Sequence, residues 1–77
     1  MERGDVMAKR IALKMARLER GWTQEETAER LGLNSSKTYG HWETGQTKNP
    51  PVKGMVACEK LFGRPKEELF PDVFGEI

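Results

Sequence analysis

Apolar residues recur along this chain at spacings of three and four, in short runs separated by glycine and proline. No segment alternates apolar and polar positions as a half-buried strand would. The breaks fall at Gly21, Gly32, the stretch from Gly45 to Pro51, and Gly63-Arg64-Pro65, which leaves five short segments of helical character. The first runs from Asp5, a good N-cap, to about Arg20, with Met7, Ile11, Met15 and Leu18 at helical spacing and Gly21 as its stop. The second opens on Thr23-Gln24-Glu25-Glu26, the pattern of a capping box in which Thr23 serves the Glu26 amide and the Glu26 carboxylate reaches back. Ala28 and Leu31 face inward on it, and Gly32 ends it.

A third helix starts at Asn34 or Ser35, both good caps, and passes through Tyr39 and Trp42, three apart on one face, to Gly45. Gln46 to Pro51 then form a polar turn, and the second proline bars a helix from starting sooner. The fourth helix, about Val52 to Phe62, is expected to bury Val56, Leu61 and either Ala57 or Cys58. Pro65 suits the first position of a short fifth helix that ends near Phe70, before Pro71. The fold class expected is all-α, a compact bundle of about five short helices with a central helix-turn-helix. A single domain spans residues 1–77, with its core at about 6–71 and terminal arms at 1–5 and 72–77.

Composition narrows this reading. With 77 residues and 36% hydrophobic content the chain builds one core of modest stability, which leaves room for self-association. Charged residues at 32% and aromatics at 8% suit a soluble helical domain and fit neither a disordered tail nor a membrane protein. No apolar run approaches the roughly 18 residues of a membrane span, and Met1-Glu2-Arg3-Gly4-Asp5 lacks a signal-peptide pattern, so a cytoplasmic location is expected. The lone Cys58 has no partner for an internal disulfide and, with only His41 beside it, no zinc ligand set; it reads as a small core residue. No metal, cofactor, membrane or small-molecule ligand is expected, and no nucleophile and base pair or phosphate loop suggests an enzyme.

The net charge of +1 and pI near 7.9 argue weakly for nucleic acid. Their distribution says more. Residues 1–20 carry six Lys/Arg against three acids and residues 36–54 three against one, whereas residues 55–77 carry five acids against three bases. Opposite electrostatic faces are one reading, and plain solvation of helix surfaces is the other.

The run from Arg17 through Thr23-Gln24-Glu25-Glu26, Ala28 and Leu31-Gly32, followed by Trp42-Glu43-Thr44-Gly45 and Pro50, resembles the lambda-repressor-like (Cro/repressor, Xre) helix-turn-helix family. Leu61-Phe62-Gly63 and Glu68-Leu69-Phe70 resemble its fourth and fifth helices, so the likeness covers roughly residues 10–71. It implies a sequence-specific DNA-binding transcriptional regulator, a repressor by preference, that inserts its third helix into the major groove of double-stranded DNA. It also implies a homodimer on a two-fold operator.

By the same resemblance Ser36, Lys37 and His41 are the candidate base contacts. Gln24, at the start of the second helix, is a phosphate contact, joined by Ser35, Thr38 and the loop residues Gln46, Thr47, Lys48 and Asn49. Arg17 and Glu43 form a structural ion pair. The chain departs from the family in three places. Gly32 to Tyr39 counts seven residues against the usual six, Thr27 stands where leucine is preferred, and Gly40 interrupts the third helix at a cost of about 1 kcal/mol relative to alanine. That glycine admits the DNA backbone closely, is merely tolerated, or marks a helix tipped by the inserted residue. Phe70, Val73, Phe74 and Ile77 offer a dimer seam, unless they tuck against their own chain. The rival to DNA binding is a protein-interaction module, an antitoxin or adaptor that uses the acidic C-terminal half.

Overall fold

Thr23 and Glu26 close the expected capping box: the Thr23 hydroxyl accepts from the Glu26 amide at 3.0 Å, and the Glu26 carboxylate accepts from the Thr23 amide at 2.9 Å. That start and the breakers around it set the architecture of residues 10–74, which the computed structural model describes. Five helices follow in order, α1 (Ile11–Glu19), α2 (Gln24–Arg30), α3 (Ser36–Thr44), α4 (Val52–Phe62) and α5 (Lys66–Leu69), and the described residues contain no strand. They form an all-α bundle 30 × 23 × 21 Å across, in which α2 and α3 are the most closely packed pair.

The turn between α2 and α3 is built at Gly32, whose φ of +76° only glycine adopts readily. Its amide reaches the Glu29 carbonyl at 3.1 Å and the next amide, of Leu33, reaches the Ala28 carbonyl at 2.9 Å, which closes the helix end and reverses the chain. Ser35, not Asn34, caps α3: its Oγ accepts from the Lys37 amide at 3.1 Å. α3 itself runs unbroken from Ser36 to Thr44.

Leu13 and Ala16 of α1, Ala28 of α2, Tyr39 and Trp42 of α3, Met55, Cys58 and Phe62 of α4, and Leu69 and Phe70 make the core. Trp22 closes one corner of it, its ring 6.1 Å from that of Phe62 and covered by the Arg30 guanidinium at 4.3 Å. Thr27 of α2 also faces inward. Fully buried, it donates its hydroxyl to the Thr23 carbonyl at 3.0 Å, one helical turn back.

Three expectations need correction. Ile11, Met15 and Leu18 of α1 face solvent, 54%, 50% and 48% exposed, and the buried side is Arg10, Leu13, Ala16 and Arg17. The apolar period points to the wrong face because two of the inward residues are arginines with fully engaged guanidinium groups. Asp5 and Met7 lie outside the described residues. On α4 the inward residues are Met55, Cys58 and Phe62, while Val56, Ala57 and Leu61 are half-buried; Pro65 stands just before α5 as its cap. Of the two readings of the C-terminal apolar residues, the described ones favour packing on their own chain: Phe70 is fully buried, and Val73 and Phe74, half-buried, pack against the core. Ile77 lies outside the described residues.

Candidate nucleic-acid interface

α3 has two unlike sides. Tyr39, Trp42 and Glu43 are buried, while Lys37, Thr38 and His41 are exposed. Lys37 and His41, four residues apart, share one strip of the outer face. Ser36 is half-buried at its edge and, with the exposed cap Ser35 and Asn34, borders an open cleft whose other wall is Glu25, Glu26 and Glu29 of α2. Negative charge therefore concentrates beside the first turn of α3, and positive charge begins at Lys37.

Beneath this face the helices are tied by a buried polar network centred on Glu43, which is 3% exposed. Arg17 donates to its carboxylate through Nε at 2.6 Å and Nη2 at 3.3 Å, and through Nη1 to the Trp22 carbonyl at 2.8 Å. The expected Arg17 and Glu43 ion pair is thus present and buried. The hydrogen bond to Glu43 holds the Arg17 pKa above its ordinary value. Gln24 adds a third donor, its Nε2 lying 3.1 Å from Glu43 Oε1. The Tyr39 hydroxyl is enclosed with no hydrogen-bond partner of good geometry. Burial first, and the Glu43 carboxylate second, push its pKa above the usual phenol value.

The loop after α3 is folded back on the helix. Gly45, in the left-handed region at φ +88°, and Thr47 both donate backbone amides to the His41 carbonyl, at 3.1 and 3.3 Å, and the Gln46 amide meets Thr44 Oγ1 at 3.4 Å. With these amides engaged, a hydrogen bond donated by Gln46 or Thr47 to a phosphate would come from the side chain. Lys48 and Asn49 are exposed in the same loop.

Sequence reasoning missed the residue that fixes this loop. Arg10 is fully buried, with Nη1 donating to the Trp42 carbonyl at 2.8 Å, Nη2 to the Lys48 carbonyl at 3.1 Å, and Nε and Nη2 to the two Asp72 oxygens at 2.9 and 2.8 Å. A signal existed: Arg10 and Arg17 are seven apart, two helical turns on one face, with Leu13 between them.

Ser35, Ser36, Lys37, Thr38, His41 and the loop from Gln46 to Asn49 thus follow one another along the outer side of α3 and its exit, with Gln24 reaching in from α2. A helix-turn-helix family model, HTH_3, matches residues 13–69, well over half of the chain and the whole of this arrangement up to α5. The chain belongs to this Xre and lambda-repressor-like family of DNA-binding regulatory domains. No curated protein and no solved structure matches it. Among the described residues no helix is long and apolar enough to cross a membrane.

Proposed function

We propose that this chain is a cytoplasmic, sequence-specific repressor of transcription that inserts α3 into the major groove of double-stranded DNA and acts there as a homodimer. The observation that carries the reading is the division of α3: a locked inner side of Tyr39, Trp42 and Glu43, and an outer strip where the side chains of Lys37 and His41 make no hydrogen bond or ion pair among the described residues. A rigid helix with short or hydrogen-bonding outer residues meets the needs of base readout. Lys37, His41 and Ser36 read base edges, and Gln24, Ser35, Thr38, Gln46, Thr47, Lys48 and Asn49 meet phosphates. The glutamates beside Ser35 and Ser36 repel the phosphate backbone, so the contact is weighted toward Lys37, His41 and the Lys48 loop.

One such helix spans only a few base pairs, which favours two copies on half-sites about 10 base pairs, or 34 Å, apart. Selection from a random duplex pool, followed by footprinting and measurement of stoichiometry, tests each part. A two-fold site holding two chains is expected. One asymmetric site of about five base pairs with a single chain bound would remove the dimer. The acidic wall of α2 is the one observation that favours a protein-binding role instead, and absence of any duplex binding at low salt would decide for it.

A further inference from the structure

Gly40 lies in the middle of α3, where glycine costs about 1 kcal/mol relative to alanine. Its φ is not positive, so the backbone itself does not require glycine. The requirement comes from α2. A β-carbon built on Gly40 would meet Gln24 Oε1 at 3.1 Å, Cδ at 3.7 Å and Nε2 at 3.8 Å, so an alanine methyl would press on the carboxamide oxygen and the Gln24 side chain would have to give way. Chemistry fixes which way that group faces. A carboxylate only accepts, so Gln24 turns its nitrogen to Glu43, at 3.1 Å, and its oxygen to Gly40. The nitrogen keeps a second hydrogen, and the side chain remains only half-buried.

We propose that Gly40 is a positioning residue for DNA: by lacking a side chain it forms the seat that holds the Gln24 carboxamide on Glu43, with its remaining N–H available to a phosphate oxygen. The proposal rests on the DNA-binding reading above. It assigns the unusual glycine to a neighbouring side chain and not to direct approach of the DNA backbone. Because Glu43 is in turn fixed by Arg17, the Gln24 donor is held by three helices at once and loses little freedom when DNA arrives.

The test is Gly40→Ala with and without Gln24→Ala, each scored for melting temperature, for the Gln24 side-chain amide resonances, and for affinity to duplex DNA of several sequences. Gly40→Ala should melt no lower than the parent, shift the Gln24 amide resonances, and weaken binding to every sequence by about tenfold, in keeping with one hydrogen bond to a charged group. In the Gln24→Ala background it should cost no further affinity. Unchanged affinity or unmoved resonances for Gly40→Ala, in a parent that binds DNA, would overturn the positioning role alone. So would an equal loss in both backgrounds, which would mean that the glycine acts without Gln24. A parent that binds no duplex DNA would overturn both readings.

Discussion

A β-carbon on Gly54 would stand 2.6 Å from Cη2 of the Trp42 indole, and 3.2 and 3.3 Å from Cζ2 and Cζ3. Trp42 is 2% exposed, so α3 and α4 sit at a separation that depends on glycine. Gly54→Ala should therefore lower stability by about 1–3 kcal/mol through overpacking, against the roughly 1 kcal/mol that helix propensity alone would add. Urea unfolding reads the sign. A more stable variant would mean that the indole shifts freely.

Glu43 accepts from Arg17 and Gln24 in a nearly dry environment, and its loss strands the Arg17 guanidinium. Glu43→Gln should destabilise by about 3–5 kcal/mol, the usual cost of leaving one buried partner unpaired. Thermal and denaturant unfolding measure it, and a change under about 1 kcal/mol would show that the surroundings satisfy Arg17 without the carboxylate.

Lys48 and Lys37 should fail differently. Lys48 stands in the loop beyond α3, so Lys48→Ala should weaken binding to all sequences and reduce the salt slope by about one. Lys37, on the outer strip of α3, should instead lose preference at one base position, at about 1–3 kcal/mol. Binding across a salt series and a set of single-base variants separates the two patterns. An unchanged salt slope would remove Lys48 from the contacts, and uniform weakening would make Lys37 a phosphate contact.

Stability should fall in alkali. Burial pushes the Cys58 thiol from its ordinary 9.0 up to about 12, and Tyr39 is raised as well. Both groups hold their protons more tightly folded than unfolded. The stabilising contribution is thus complete below about pH 9 and drains away as the pH climbs toward 12, on the order of 4 kcal/mol for the thiol. Denaturation at stepped pH, with thiolate absorbance followed in parallel, checks this; a thiol that ionises near 9 in the native protein would contradict it.

What the sequence made legible was local. Thr23 and Glu26 are three residues apart, Pro51 and Gly63 bracket α4, and Ser35 sits one residue ahead of α3, so each signal acts within a single turn. The ion pair of Arg17 with Glu43, which the family resemblance supplied, is also present. Less legible were features whose cause is distant in the chain. The outward stripe of α1 reads as its core side because the burial of Arg10 depends on Asp72 and two carbonyls, and the reason for Gly40 depends on Gln24. The order of candidate contacts along α3 followed from its cap; which outer residues stand beside acids emerged only when α2 was laid against it.

The Arg10 and Asp72 pair joins positions 62 apart, so it knots the two ends of the described chain over the exit of α3. Anything that draws the C-terminal turn away, whether an added tag under tension or cleavage after Pro71, leaves a buried cation holding two backbone carbonyls and no counter-ion. The Lys48 loop would then slacken from behind while every residue on its outer surface stayed the same. A truncation of this chain thus changes the mechanics of its loop as well as its length.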